Sequence, residues 1–358
     1  MAYTEIDKPS DYLRIQTWSG NNSADREITW TETDNMQPDW IWVKRRSDTA
    51  NHRLADSVRG ATKILRSDTN GAETTESDDT LSFDTNGFSV GSNSGVNKTG
   101  DTYVGWGWKA GTSFTNDASS TGIGTIDSAG SFNNDSGFSI VSYTGNNTSG
   151  ATLKHGLNTA PAMVIVKNRN RTDNRDWVVY HQKLTSASYY IYLNSTGAMA
   201  GAYANFWNNT APNSSVITLG SGDTTTNGNG DTYIAYCFAE KKGYSKFGNY
   251  TGNGNADGTF VYTGFKPAWI MTKITSGADD WQICDNKRDP DNAVFSQLNA
   301  NSSAAENTWD AKVDFTSQGF KIRKAGGSWN ASGGSFIYMA FAENPFVTGA
   351  SAIPTTAR

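Results

Sequence analysis

The most regular pattern in this chain is Tyr233-Ile234-Ala235-Tyr236-Cys237-Phe238-Ala239-Glu240. Two other stretches have the same pattern: Tyr103-Val104-Gly105-Trp106-Gly107-Trp108 and Phe336-Ile337-Tyr338-Met339-Ala340-Phe341-Ala342-Glu343. Because side chains alternate between the two faces of a β-strand, each stretch has one face of large side chains and one of mostly small ones. We therefore predict three central strands, each covered on both faces, whose large face fills a core and whose small face lets a second layer approach.

Four further landmarks precede these closing strands in a constant order. Each repeat opens on a strand that ends in a Gly-Asn turn, at residues 12–22, 138–147 and 244–253. A Pro-apolar-Lys strand follows at 38–44, 161–167 and 267–273. Next comes an Asp-Trp strand at 176–180 and 280–284, with a weaker counterpart near Arg53-Leu54-Ala55, and then a short strand centred on Leu65, Leu193 or Leu298.

Five landmarks repeated in one order predict an all-β chain of three tandem antiparallel β-sandwich repeats, jelly-roll or lectin-like in kind. We place the repeats at residues 1–112, 137–241 and 242–358 of the 358. Residues 113–136, rich in Ser, Thr, Gly and Asp, are interpreted as a linker. Only Lys241-Lys242-Gly243 separates the second and third repeats, so we expect these two to pack closely or to share an edge.

Composition excludes several functional classes. The 30 Lys and Arg residues are scattered among 35 Asp and Glu, a net charge of -5, which gives no electrostatic support for a nucleic-acid groove. No apolar run approaches the roughly 20 residues that a membrane helix needs. The start Met1-Ala2-Tyr3-Thr4 lacks a secretion signal, and two cysteines make no disulfide framework, so we expect a soluble chain made in a reducing cytoplasm.

Residues that carry catalytic or metal chemistry in other proteins do not recur across the repeats. Cys237 stands where the other repeats have Gly107 and Ala340, and Cys284 stands where the second has Tyr180. The three histidines, His52, His155 and His181, do not recur either, since His155 aligns with Thr263 and His181 with Asp285. We therefore expect no enzyme, no catalytic residue, no cofactor and no metal site. The loop Asn253-x-Asn255-x-Asp257-Gly258 has the start of a calcium pattern but Gly264 in place of its glutamate, which leaves an unspecific cation open.

Two tryptophans are weak candidates for binding. Trp207 lies in an insertion of the second repeat and Trp329 in a Gly-Ser-Trp-Asn loop, both in polar surroundings. A subunit contact or a loop anchor explains each ring better than sugar binding does. The aligned Trp177 and Trp281 are instead expected in the core.

The opening, Pro-apolar-Lys, Asp-Trp and closing strands together resemble the repeats of virion structural proteins of tailed bacteriophages, marine ones in particular. The ending Phe341-Ala342-Glu343-Asn344-Pro345-Phe346, with residues 353–358, is similar to the C-terminal ends of those proteins. The resemblance covers nearly the whole chain. The first repeat departs most, since it lacks the Asp-Trp pair and has Trp106 and Trp108 in its last strand.

The resemblance implies a non-enzymatic virion structural protein on the particle surface, either a fibre or a capsid-decorating component. Its implied partners are further copies in a homotrimer or another symmetric oligomer, other capsid or tail proteins, and a host surface glycan. Synthesis in the host cytoplasm fits the cysteine usage. The alternative is a carbohydrate-binding module or a polysaccharide hydrolase, because aromatic-rich sandwiches with polar loops also suit sugars.

Overall fold

The chain is all-β, as the sequence predicts. The computed structural model describes residues 4, 6–173 and 175–346, so the C-terminal residues 353–358 used in the resemblance lie outside the described residues. Every pairing between its named strands is antiparallel. No helix in the described part of the chain is long and apolar enough to span a membrane.

The first segment begins with a 3-10 helix at Pro9–Asp11. Its strands are β1 (Leu13–Ser19), β2 (Arg26–Thr29), β3 (Trp40–Arg45), β4 (Arg53–Asp56), β5 (Gly60–Leu65), β6 (Thr74–Thr75), β7 (Thr80–Asp84), β8 (Gly87–Val90) and β9 (Thr102–Trp108). They form a main sheet of order β1-β9-β3-β4-β5-β6 and a small sheet of order β2-β8-β7.

The middle segment has a main sheet of order β10-β11-β12-β18-β14-β15-β16 and a small sheet of β13 and β17. Its elements are β10 (Thr112–Asn116), α1 (Ala118–Thr121), β11 (Ser128–Asn133), β12 (Phe138–Thr144), β13 (Ala151–Lys154), β14 (Met163–Asn168), β15 (Val178–His181), β16 (Ile191–Tyr192), α2 (Ala204–Trp207), β17 (Val216–Leu219) and β18 (Thr232–Phe238).

The last segment has a main sheet of order β19-β26-β21-β22-β23 and a small sheet of order β20-β25-β24. Its elements are β19 (Ser245–Thr251), β20 (Phe260–Tyr262), β21 (Phe265–Ile274), β22 (Gln282–Asp285), β23 (Leu298–Asn299), β24 (Val313–Thr316), β25 (Gly319–Ile322), α3 (Gly327–Asn330) and β26 (Ser335–Pro345).

The five sequence landmarks are five neighbouring strands in each main sheet. The orders β1-β9-β3-β4-β5, β12-β18-β14-β15-β16 and β19-β26-β21-β22-β23 run opening, closing, Pro-apolar-Lys, Asp-Trp and Leu-centred strand. The closing strands β9, β18 and β26 are therefore central, as predicted. Glycine ends each opening strand because the backbone passes close by, and a Cβ at Gly20 would lie 2.0 Å from the Lys98 carbonyl oxygen.

Residues 113–136, interpreted as a linker, instead contain β10, α1 and β11. These two strands pair with each other, and β11 pairs with the opening strand β12, so the segment extends the middle sheet. The sequence is rich in Ser and Thr because this end of the sheet is largely exposed on β10, where Thr112, Ser113 and Thr115 face solvent. Polar composition alone does not distinguish such a strand pair from a linker.

The large faces of the closing strands meet in one core that all three segments share. They contribute Trp106 and Trp108, Tyr236 and Phe238, and Met339 and Phe341. Aromatic pairs cross every interface between segments: Trp40 to Tyr236 at 4.5 Å, Phe238 to Phe247 at 6.0 Å and Trp108 to Trp269 at 5.5 Å between ring centroids. The second and third segments thus pack closely, although β18 and β19 belong to different sheets.

The small faces of the closing strands lie against separate outer cores, one for each segment. A Cβ at Gly107 would lie 2.7 Å from the Trp30 ring, so glycine makes room for that side chain. In the middle segment Ala235 and Cys237 pack in a cluster with the small-sheet residue Ile217. In the last segment Ala340 packs in a cluster with Phe320. The division into a large and a small face that the sequence predicts is confirmed in all three strands.

Three buried lysines tie each segment to the next. They are the lysines of the Pro-apolar-Lys strands, and each ammonium group donates to backbone carbonyls of a neighbouring segment: Lys167 to Asn70 O at 3.0 Å, Lys273 to Thr196 O at 2.8 Å and Lys44 to Ser303 O at 3.2 Å. The middle segment therefore binds the first, the last binds the middle, and the first binds the last. Burial lowers the pKa of each ammonium to about 8.

Candidate functional site

Trp207, a candidate from the sequence, is buried rather than exposed. It ends the short helix α2 and is 1% exposed, and its ring lies 6.0 Å from the ring of Tyr180 in an edge-on contact. The insertion is polar in sequence because Asn205, Asn208 and Asn209 surround the ring, of which Asn209 is exposed and the other two are half-buried, while the helical turn directs Phe206 and Trp207 into the outer core of the middle segment. The ring is therefore a loop anchor, and a sugar has no access to it.

Trp329, the second candidate, is also buried, with 0% of its surface exposed. Its indole Nε1 donates to Gln297 Oε1 at 2.9 Å, and its carbonyl accepts from the Tyr250 hydroxyl at 2.9 Å. The next residue, Asn330, accepts from the Asn253 amide at 2.8 Å and so fixes the turn that ends the opening strand. Trp329 thus anchors this loop from inside, which corrects its interpretation as a surface candidate.

The expected core tryptophans Trp177 and Trp281 are buried in the shared core, as predicted. Each indole also reaches the preceding segment, since Trp177 donates to Arg66 O and Trp281 to Tyr192 O, both at 2.9 Å. In the first segment the side chain of His52 occupies the corresponding interface, where its Nε2 lies 2.9 Å from Asn299 O.

All three histidines are buried and hydrogen-bonded. His155 accepts from the Leu157 amide at its Nδ1 and lies 3.0 Å from Asn213 O at its Nε2. His181 has the same arrangement with the Lys183 amide and Tyr338 O. Burial lowers the pKa of His155 and of His181 to about 4, so both rings are neutral near pH 7.

Both cysteines are buried and free. Burial raises the pKa of Cys237 to about 12 and raises the pKa of Cys284 as well, which disfavours the nucleophilic thiolate. Among residues 4, 6–173 and 175–346, no group of three or more His, Cys, Asp or Glu side chains is placed to hold a metal ion. In the calcium-like loop, Asp257 pairs with Lys321 at 2.7 Å.

The exposed large hydrophobic side chains of the described residues all belong to the last segment. They are Phe260 at 46%, Tyr262 at 55%, Phe295 at 42% and Trp309 at 92% exposure, and we call them the aromatic surface. Phe260 and Tyr262 flank the buried Val261 on the edge strand β20, so strand alternation turns both rings outward. Trp309 lies in a loop, where its backbone amide donates to Asn307 Oδ1 at 3.1 Å.

A polar cleft of about 340 Å³ adjoins the aromatic surface at Tyr262. Its other wall carries the ion pair of Lys246 and Glu240, 2.7 Å apart, at the interface of the middle and last segments. Gly264 lies beside the Tyr262 ring, where a Cβ would be 3.5 Å from the hydroxyl oxygen. An exposed ring beside charged groups suits binding of a partner by stacking and hydrogen bonding.

A second cleft, of about 690 Å³, is formed by the strand pair that extends the middle sheet. Polar residues dominate its lining, among them Asn116, Asp127, Ser142 and Arg169. Several of these groups are already engaged: Asp127 accepts from the Ala118 amide at 2.8 Å, and Arg169 pairs with Glu73 at 2.9 Å. The sheet extension therefore creates a cleft with many polar side chains that the other two segments lack the strands to form.

Sequence reasoning missed the aromatic surface. One signal was available for Phe260 and Tyr262, because strand alternation in Phe260-Val261-Tyr262 before the turn at Gly264 places both rings on one face and Val261 on the other. Trp309 lies in the polar run Asn307-Thr308-Trp309-Asp310, a setting like that of Trp329. Their surroundings in sequence are alike, and only the fold separates the exposed ring from the buried one.

Comparison with known proteins gives one family. The family described as "Domain of unknown function (DUF7483)" matches residues 8–345, which include all three segments. No curated protein matches the chain significantly. No solved structure matches it significantly either.

Proposed function

The chain belongs to the DUF7483 family, and we propose that it is a non-enzymatic structural protein of a bacteriophage virion, a fibre or capsid-decorating component on the particle surface. The observation that carries this proposal is the aromatic surface, whose four side chains all belong to the last segment of a body in which three segments interlock. Such a body suits attachment through one segment while the other two face outward. The Tyr262 and Trp309 rings offer the contact.

We further propose that each segment is one copy of a single antiparallel sandwich unit. The common strand order of the main sheets supports this, and so does the outer core between each main sheet and its small sheet. The shared core and the lysine contacts then join the three units into one body. A protein exposed outside the cell benefits from such a body, because buried contacts suppress the local opening that proteases require.

The partner of the aromatic surface is another virion protein or a further copy of this chain in a symmetric oligomer. Trp309 is 92% exposed, and a ring of this size in solvent is typical of an interface anchor. Burial of Trp309 in an assembly would make the last segment the part of the chain that contacts the partner. The virion surface is then the site of action, after synthesis in the host cytoplasm.

Immunogold labelling tests this function. Particles of a phage that encodes this chain should bind gold-labelled antibody at the capsid or at the tail in negative stain. Trp309→Ala should lower the amount of the chain in purified particles, while Asn35→Ala, an exposed position of the first segment, should leave it unchanged. Particles without label at any position would overturn the proposal.

A carbohydrate-binding module or polysaccharide hydrolase is the second candidate. The outward rings of Phe260 and Tyr262 favour binding, because alternate strand residues are about 7 Å apart and two such rings form a stacking platform. A polysaccharide depolymerisation assay separates the two forms of this candidate. Release of saccharide indicates a hydrolase, and retention of an intact polysaccharide indicates a binding module.

A further inference from the structure

The middle and last segments differ at one equivalent place, the sheet edge beside the opening strand. In the middle segment the opening strand β12 pairs with β11, whereas β19, the opening strand of the last segment, is at the end of its sheet. The small-sheet strand β20 is an edge strand as well. The middle segment therefore has a cover over edges that no described strand covers in the last.

One short extended stretch makes this cover in the middle segment. The Thr125 and Ile126 amides both donate to Thr152 O on β13, at 2.7 and 3.0 Å. The Thr125 hydroxyl oxygen accepts from the Thr152 amide at 2.9 Å. Further along the same stretch, Ala129 pairs with Ser142 of β12. The stretch thus hydrogen-bonds to the small sheet and to the main sheet together.

The register of the strands identifies the equivalent positions in the last segment. Phe260 lies directly before the buried centre of β20, as Thr152 does in β13. Asn249 is the fifth residue of β19, as Ser142 is of β12. Because the backbone groups of alternate strand residues point to the same side, those of Phe260 and Asn249 face the open edges.

The direction of the β19 edge is fixed by Phe247. Its amide donates to Glu240 Oε2 at 3.3 Å and its carbonyl accepts from Gln182 Nε2 at 2.8 Å, so both groups point away from β26. Glu240 and Gln182 belong to the middle segment, which therefore covers the edge as far as Phe247. Asn249 points in the same direction and is exposed, so an incoming strand can reach the edge there.

The first segment has the same open edges but presents polar side chains on them. Gln16 Nε2 donates to Thr17 O at 3.0 Å, at the position of Asn249. Glu27, which is exposed, stands in the place of Phe260. Charged side chains on an edge strand disfavour pairing with another chain. The last segment instead has a ring with 46% exposure at this position, which favours a partner.

We propose that the edges of β19 and β20 bind an extended segment of another virion protein by strand addition. The segment would pair with Asn249 and Phe260 as residues 125–129 pair with β12 and β13. Main-chain hydrogen bonds supply the affinity in this form of recognition, and side-chain contacts supply the specificity. The residue in the place of Thr125 should be apolar, because it lies beside the Phe260 ring. The inference rests on the proposed function, since it states how the last segment holds its partner.

The partner is a different protein rather than a second copy of this chain. In every copy, residues 125–129 are already paired with β12 and β13. Only Lys241-Lys242-Gly243 separates the last segment from the middle one, so the last segment has no extension of its own that could supply the strand.

The experiment measures fluorescence anisotropy of a labelled synthetic peptide of residues 123–133 with the purified full chain. We expect saturable binding. Asn249→Pro should weaken it about tenfold or more, because proline removes the amide donor at the edge. Phe260→Ser should weaken it too, since the ring no longer contacts the peptide. A peptide with Thr125→Phe should bind wild type more tightly and lose this gain in Phe260→Ser.

The first segment provides matched controls. Thr17→Pro and Glu27→Ser change the equivalent positions of its open edges, and each should leave binding within about twofold, because both are distant from the site. Thermal melting of every variant separates loss of the site from loss of the fold. Phe260→Ser carries the test if Asn249→Pro melts lower, because its ring is exposed and contributes little to stability.

Each of three results would overturn the inference: no saturable binding, equal affinity for a scrambled peptide, or equal binding by wild type, Asn249→Pro and Phe260→Ser. Self-association of the purified chain that Phe260→Ser abolishes would assign the edge to a second copy and overturn the choice of partner. Immunogold labelling tests the virion role separately, so labelled particles together with a peptide that does not bind would refute strand addition alone.

Discussion

The hydroxyl of Tyr236 donates a hydrogen bond of 2.8 Å to Asp56 Oδ2, from the middle closing strand to the first segment. The same carboxylate pairs with Arg59 at 2.5 Å. The equivalent bond joins the first segment to the last, where Trp106 Nε1 donates to Asp285 Oδ2 at 2.9 Å beside Arg288. Two of the three interfaces therefore use one arrangement, an aromatic donor on an Asp-Arg pair.

Removing this donor should destabilise the whole chain. In Tyr236→Phe the buried Asp56 loses a hydrogen bond, and we expect the free energy of unfolding to fall by about 1 to 3 kcal/mol. Urea denaturation followed by tryptophan fluorescence measures it. Tyr262→Phe, at a tyrosine that is 55% exposed, is the control and should change stability by less than about 0.5 kcal/mol. Equal midpoints for Tyr236→Phe and wild type would contradict the role given to the bond.

The third interface, between the middle and last segments, fills the same positions with neutral residues. His181 stands at the position of Asp56, Leu184 at that of Arg59, and Met339 at that of Tyr236. His181→Asp would place a buried carboxylate there without its arginine, and we expect a loss of about 3 to 5 kcal/mol. Adding Leu184→Arg should restore at least about 1 kcal/mol. A double-mutant cycle by urea denaturation checks this, and additive losses would refute the equivalence.

The strands of this fold could be predicted because each landmark satisfies a local requirement. The alternation in residues 233–240 specifies two faces, and Gly20 is required by a carbonyl that approaches its Cα. The contacts between segments could not be predicted this way. Lys44 and Ser303 are far apart in sequence, and nothing in either residue indicates that the first and last segments meet.

The binding candidates failed for a related reason. Trp329 comes directly before the buried Asn330. The equivalent residues of the other segments are Val96, before Asn97, and Thr226, before Asn227. The residue type at this position therefore differs in each segment and does not predict that the position is buried.

Trp281 should be among the most costly core residues to remove. Its ring is 1% exposed in the shared core, and its indole crosses to the middle segment. We expect Trp281→Ala to lower the free energy of unfolding by about 3 to 5 kcal/mol. Trp309→Ala is a matched control, since that ring is 92% exposed, and it should cost less than about 0.5 kcal/mol. Chemical denaturation of both variants decides the matter, and a parent-like midpoint for Trp281→Ala would disprove the placement.

His155 should make the chain less stable in acid. Burial lowers its pKa to about 4 in the folded state, whereas a histidine in the unfolded chain titrates near its usual 6.5. Between these two values the unfolded state binds more protons, so stability falls as the pH falls, by up to about 1.4 kcal/mol per pH unit. The other groups of the protein titrate as well, and a variant isolates this one.

The variant is His155→Gln, whose side chain does not titrate in this range. The stability difference between wild type and variant should change by about 2 kcal/mol between pH 7 and pH 4.5, with wild type losing more as the pH falls. Urea denaturation at both pH values measures it. Lys154→Gln, at the half-buried last residue of β13 directly before His155, controls for a change of residue at this point of the chain. Parallel pH profiles for wild type and His155→Gln would show that His155 binds protons equally in both states, against the expectation from its burial.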